Sequence, residues 1–215
     1  MTITEIREWK KGKYLICLND EPVFALYAKE IAEYALNEGE ELDDGKYADI
    51  LDNVLIKRAK SRTLHLLDRN DKTEKELRDK LKEGMYPDEA IDAAVEAAKK
   101  GRFLDDRRYA AQYVYEKSRS KSRKHIEAEL LKKGVAPEIV GDAFKELSGN
   151  EEIDGSDKEE ELILKLLRKR CPKPEMINEE AKSKLYRYLC GKGFEFQKVK
   201  KVFDIYLQDA ADVIY

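Results

Sequence analysis

The chain has 215 residues, 40% of them charged and 42% hydrophobic, with a formal net charge of −3. That is enough apolar material to offset chain entropy and exclude wholesale disorder. No apolar run reaches the roughly 20 residues a membrane span needs. Three cysteines, Cys17, Cys171 and Cys190, form no CxxC pair; reduced thiols in a cytoplasmic chain are expected, and Met1-Thr-Ile-Thr-Glu5 does not read as a signal peptide.

The first thirty residues predict β-structure. Thr2–Lys10, Lys13–Asn19 and Pro22–Tyr27 are short, partly alternating and rich in β-branched and aromatic residues, with Gly12 and Asn19-Asp20 supplying turns between them. Tyr14, Ile16 and Leu18 alternate with Leu15 and Cys17, which suggests a sheet with one covered face. A small sheet needs a partner to pack on, and the amphipathic run Ala28–Leu36, ended by Gly39, is the expected cover. Asp43-Asp44 then opens a long helix carrying Ile50, Leu51, Val54, Leu55, Ala59, Leu64 and Leu67 at helical spacing.

From there the pattern recurs. Leu77 and Leu81 are followed by Ile91 and Val95, Ile126 and Leu130 by Val140 and Phe144, and Leu185 and Leu189 by Val199 and Phe203, each set spaced 4, 10 and 4. Gly84-Met85, Gly134-Val135 and Gly193-Phe194 sit near each centre; glycine suits the left-handed residue that closes a helix. Each copy therefore holds two helices around a glycine turn, and an earlier helix precedes each pair: Leu51–Arg69, Arg107–Ser118 and Glu159–Arg170. Thr73 and Asn178 read as helix caps, and Pro87 and Pro137 as helix starts. The predicted fold is mainly α: three tandem three-helix repeats in an elongated, curved array after a β-rich extension. The expected boundaries are 1–40 for the extension, 43–100, 101–149 and 158–210 for the repeats, with a Gly/Ser/acid linker over Ser148–Asp157.

Little in this sequence points to catalysis. His65 and His125 are far apart and have no ligand at metal spacing. There is no G-x-S-x-G and no phosphate-cradling G-x-x-x-x-G-K. Asp105-Asp106 and Asp43-Asp44 precede helices, where carboxylates cap free N–H groups. The expectation is a protein that is not an enzyme and needs no cofactor or metal.

One segment resists the bland reading. Lys117-Ser-Arg-Ser-Lys-Ser-Arg-Lys124 carries five cations separated by serines between two helices. With no hydrophobe in it, it is either a solvated loop or an anion-binding surface, and Arg107 and Arg108 open the helix that leads into it. The candidate binding residues are therefore Arg107, Arg108, Lys117, Arg119, Lys121, Arg123 and Lys124.

Three motifs in order carry a family resemblance: Glu76-Leu-Arg-Asp-Lys-Leu81 with Gly84, Gly101-Arg-Phe-Leu-Asp-Asp106-Arg-Arg-Tyr-Ala110, and Ile126-Glu-Ala-Glu-Leu-Leu-Lys-Lys-Gly134-Val135. Together they resemble the RecX family of bacterial regulators of the RecA recombinase. The resemblance implies three tandem three-helix repeats and a regulator that lies in the helical groove of the RecA–DNA filament. It further implies inhibition of strand exchange and of RecA's ATP hydrolysis, with no catalysis by the regulator itself; a monomer with weak direct DNA contact and no membrane association is expected beside it. The seven candidate residues would then meet the filament. Two departures stand out: the first copy is one residue shorter between Leu81 and Gly84, and the third has Cys171-Pro-Lys-Pro174 in its first connection and no Leu-Asp-Asp entry. The competing reading is an autonomous nucleic-acid-binding module that acts without a recombinase.

Overall fold

Alternation and turn chemistry shape the first elements as expected. Strands β1 (Ile3–Lys10), β2 (Lys13–Leu18) and β3 (Glu21–Tyr27) form an antiparallel sheet in the order β1-β2-β3. Asn19 and Asp20 both take positive φ, 50° and 69°, the pairing that a tight hairpin turn demands. The structure, a computed structural model, describes residues 1–147, 155–172 and 177–212, the side chains of 155–158 and 209–212 excepted. The helices are α1 (Ala28–Glu33), α2 (Asp44–Ile50), α3 (Ile56–Arg69), α4 (Glu74–Lys82), α5 (Asp88–Lys100), α6 (Asp106–Lys117), α7 (Arg123–Lys132), α8 (Pro137–Leu147), α9 (Gly155–Arg170), α10 (Glu179–Gly191) and α11 (Phe196–Asp212). Between α2 and α3, Leu51–Leu55 make one π turn, in which the N–H of Ile56 donates to the carbonyl of Leu51.

Two compact units result, residues 1–106 and 107–215. In the first, one apolar cluster joins the sheet (Ile16, Leu18, Phe24, Leu26) to Ile50, Leu55 and Ala59 and on to Leu77, Leu81, Ile91 and Val95. The sheet's cover is thus the long helix of the first repeat. The expected cover, Ala28–Leu36, shares in it: Leu36 is buried in the same cluster and Ile31 and Tyr34 pack against it, although α1 itself is only six residues long and buries none of its own residues. α1 closes at Tyr34, and Ala35 follows in the left-handed region at φ 46°, before Gly39 is reached. The single-faced sheet also needs correction: Leu15, Ile16, Cys17 and Leu18 are all buried. β2 is the central strand, and on its second face the Cys17 thiol meets Glu5 of β1 at 3.6 Å.

In the second unit, α6, α7 and α8 enclose Ala110, Val114, Ile126, Leu130, Val140 and Phe144, and α9, α10 and α11 enclose Ile163, Leu167, Leu185, Leu189, Val199 and Phe203. All twelve residues of the 4, 10, 4 pattern are buried. The Ser148–Asp157 linker falls mostly outside the described residues; α9 already begins at Gly155.

The turns explain the apparent deletion in the first copy. In all three copies, the residue four after the central leucine takes the left-handed conformation: Met85 (φ 57°), Gly134 (85°) and Gly193 (88°). The next N–H donates back to the leucine carbonyl, Tyr86 to Leu81 at 3.4 Å, Val135 to Leu130 at 3.1 Å and Phe194 to Leu189 at 3.4 Å. The left-handed residue itself bonds the carbonyl three back, at 2.9 Å each time. This double bond closes a helix end by the Schellman pattern. The copies are therefore in register, and Gly84, expected to be the left-handed residue, is not; Met85 holds that place.

Capping follows the sequence closely. The Thr73 hydroxyl accepts from Glu76 N–H at 3.2 Å while the Glu76 carboxylate accepts from Thr73 N–H at 3.2 Å. Asp106 adds a cap from outside, its carboxylate accepting from the Glu74 N–H at 2.9 Å; burial raises its pKa above the usual carboxylate range. Asn178 caps α10 through Ala181 N–H at 2.8 Å.

Two stability measurements test this account. A left-handed L-residue costs about 1 kcal/mol or more, partly offset by the greater freedom of glycine when unfolded. Met85→Gly should therefore raise unfolding free energy by about 0.5 kcal/mol, whereas Gly193→Ala should lower it, and a loss on Met85→Gly would show that the side chain's packing dominates. Separately, the buried Thr63 hydroxyl has no hydrogen-bond partner among the described residues. Thr63→Val removes that desolvated group at nearly constant shape and should stabilise by about 1 kcal/mol in denaturant melts.

Candidate functional site

Charge follows position on α6 and α7. Arg107 and Lys117 lie ten positions apart on one helix, so their backbones are about 15 Å apart along its axis. The seven candidate cations thus fall into two groups. Arg107 and Arg108 are exposed at the start of α6, where Arg107 pairs with Asp142 of α8 at 3.0 Å. The other five cluster where α6 ends and α7 begins.

That second group is more tightly built than a serine-spaced loop predicts. Ser122 is 1% exposed. Its hydroxyl accepts from His125 N–H at 3.2 Å, capping α7, and donates to the Gly193 carbonyl at 2.7 Å. Its own N–H donates to the Lys192 carbonyl at 3.1 Å. The connection of the second repeat is thereby bonded to the turn of the third. Gly193 is required there twice over: its φ is 88°, and a Cβ would sit 2.6 Å from Ser122 Oγ. The stretch, though without a hydrophobe, is no free solvated loop, because a buried serine and a cation–carboxylate cluster hold it.

Glu129 of α7 is the centre of that cluster. It accepts from Tyr113 Oη at 2.9 Å and pairs with Lys121, while His125 Nε2 lies 3.4 Å away. Burial pushes the Glu129 carboxyl up, but hydrogen bonds from Lys121 and Tyr113 outweigh it and hold it below the usual range. Burial, then the bond to Glu129, raises the Tyr113 phenol to about 12. Lys117 extends over the Tyr113 ring at 5.6 Å. Arg123 pairs with Glu127 at 2.7 Å and lies over Phe144 at 4.7 Å. Arg119 is exposed, bonds Tyr115 Oη at 2.7 Å and stacks on that ring. Lys124 is exposed at the second position of α7.

Residues of the third repeat complete the site. A cleft of about 530 Å³ is lined by Arg119 and Ser120 from the connection and by Lys165, Lys169 and Arg170 of α9, with Tyr188 of α10. Arg170 lies over the Tyr188 ring at 4.0 Å. Among the described residues, no carboxylate pairs with Arg119, Lys165, Lys169 or Arg170. Four cations that no described carboxylate neutralises, set on a concave surface, favour an anionic partner. Sequence reading missed the α9 cations because they lie over forty positions away and look like an ordinary solvated helix face; only the basic end of α9, Arg168-Lys169-Arg170, signals them. Among the described residues, no group of three or more His, Cys, Asp or Glu side chains could hold a metal ion, and no helix is long and apolar enough to cross a membrane.

Comparison with known proteins agrees with this architecture. The first, second and third three-helix domains of RecX match residues 59–96, 105–143 and 157–203. The chain is 33% identical over 207 residues to the regulatory protein RecX of Caldanaerobacter subterraneus subsp. tengcongensis, covering 95% of this chain and 100% of that protein. It is 30% identical over 213 residues to the RecX of Clostridium beijerinckii, covering 97% and 98%. A crystal structure of regulatory protein RecX aligns with a TM-score of 0.53 at 26% identity, over 94% of this chain and 98% of that one. The RecX of Lactobacillus salivarius shares the fold, with a TM-score of 0.53 over 73% of this chain. With three repeats in register and matched along almost its whole length, the chain belongs to the RecX family.

Proposed function

We propose that this protein regulates homologous recombination and DNA repair by binding RecA and the RecA–DNA filament. It seats in the filament's helical groove, inhibits strand exchange and ATP hydrolysis, and catalyses no reaction of its own. Family membership supports RecA as the partner, and the relatives are named regulatory proteins. The observation that carries the contact is the cleft of Arg119, Lys165, Lys169 and Arg170, built by two repeats and, among the described residues, without a paired carboxylate. Arg107, Arg108, Lys117, Lys121, Arg123 and Lys124 flank it along α6 and α7 as further candidate contacts, with Lys121 and Arg123 also serving to hold the surface together. A purely autonomous nucleic-acid module would use the same cations, but it would not need a recombinase for recruitment.

The decisive experiment is a titration into RecA's single-strand-dependent ATPase. An Arg119→Glu/Lys165→Glu/Lys169→Glu variant should keep the wild-type thermal midpoint, since exposed charges contribute little to stability. It should need at least roughly tenfold more protein to inhibit, mostly through slower association at low salt. Inhibition at the wild-type dose would move the contact elsewhere. Loss of naked-DNA binding together with unchanged recruitment by RecA would assign the cleft to DNA alone.

Glu129 supplies an independent pH test. Its folded pKa is depressed, so its contribution is present above the unfolded value of about 4.3 and is lost as pH falls through the folded pKa. Glu129→Gln should lower stability at neutral pH and flatten the acid limb below about pH 4.3. An unchanged acid limb would mean that other carboxylates dominate it.

A further inference from the structure

The first unit carries a second cation-rich cleft that the reading above does not use. It lies between the β1–β2 turn and α3, and has a volume of about 530 Å³. Lys10, Lys11 and Lys13 enter from the hairpin, where Gly12 at φ 75° reverses the chain and keeps three lysines within four positions. Arg58 and Arg62 enter from α3, four residues apart and so on one helix face. Arg58 is already committed: it donates to the Ala25 carbonyl at 3.1 Å and pairs with Glu30. Among the described residues, no carboxylate pairs with Lys10, Lys11, Lys13 or Arg62. The nearby Glu8 instead turns its carboxylate to the Gly12 N–H at 3.4 Å.

Three aromatic rings stand among these cations. Trp9 is half-buried with Lys10 Nζ 3.8 Å from its centroid. Tyr27 is 43% exposed, with Lys13 and Arg58 at 5.0 and 4.8 Å. Tyr86 lies against Gly84, where an added Cβ would come within 2.9 Å of its ring. Gly84, freed from the left-handed role, thus leaves room for that ring beside the α4–α5 turn, where it lines the cleft. Core packing does not account for Tyr27. An acidic peptide would satisfy the lysines and leave the rings without a partner, whereas phosphates and unstacked bases use both.

We infer that this cleft binds single-stranded nucleic acid, its backbone phosphates on Lys10, Lys11, Lys13 and Arg62 and a base against the Trp9 or Tyr27 ring. It is a site on the amino-terminal unit, separate from the cleft assigned above, and it needs no recombinase.

Trp9 is the only tryptophan in the chain, so its fluorescence reports on this cleft alone. Titrating the full-length protein, without RecA, with short oligo-dT should quench Trp9. Three to four phosphate contacts give a log-affinity against log-salt slope of about −2 to −3. Lys10→Glu/Lys11→Glu/Arg62→Glu should keep the wild-type melting temperature and abolish the quench. Trp9→Leu, followed by anisotropy of labelled oligo-dT, should weaken binding by roughly tenfold if a base stacks there. The Arg119→Glu/Lys165→Glu/Lys169→Glu variant should quench normally, so failure of this inference and failure of the proposed filament contact are separable. Three results would overturn the inference: no quench with wild type, a quench retained by the hairpin variant, or equal binding of polyglutamate and oligo-dT. The last would assign the cleft to an acidic protein.

Discussion

Each repeat hangs on one backbone hydrogen bond, from the residue after the left-handed position back to the carbonyl of the central leucine. That bond fixes the angle at which two short helices diverge, and it places an apolar side chain of the turn beside them: Val135 and Phe194 are buried where it forms. Helices of nine or ten residues such as α4 and α7 are marginal alone in water. They persist because the turn delivers their apolar faces to a common core. Everything downstream depends on that angle, including the meeting of the second repeat's connection with the third repeat's turn.

The repeat was legible because its periodicity is local. Leucines spaced four apart, a helix stop and a second apolar pair are all read within one copy, and every one of those side chains is buried. Residue type misleads where position along the chain decides the conformation. Gly84 drew the left-handed assignment because glycine tolerates it, yet the hydrogen-bond pattern counts residues from Leu81 and so selects Met85. The nearest amphipathic run supplies only part of the sheet's cover, through Ile31, Tyr34 and Leu36; the strands also bury Ile16, Leu18, Phe24 and Leu26 against a helix twenty-odd residues further on.

The basic surface was legible only in part, and for a related reason. Five cations in eight residues are conspicuous in any sequence, but which are held and which are available depends on partners far away. Ser122 reaches a carbonyl 71 positions off, and Lys121 is bound by Glu129 eight positions on. Apart from the basic end of α9, Arg168-Lys169-Arg170, the cations that complete the cleft carry no local mark separating them from an ordinary charged helix face. Charge runs thus locate an electrostatic surface from sequence, while tertiary hydrogen bonds decide its working members.

The π turn at Leu51–Leu55 has a consequence for how this helix is shared. Buried positions along it run Ile50, Leu55, Ala59, Thr63 and Leu66, spaced five, then four, four and three. In an unbroken α-helix a five-residue step would swing Ile50 about 140° away from Leu55. The wider turn absorbs one surplus residue and keeps Ile50 in line, so a single stripe faces the sheet at one end and α4 and α5 at the other. Relatives with one residue fewer at this point could carry the same stripe on a plain α-helix, and a gap placed there in an alignment would mark a change of helical pitch and leave the contacts intact.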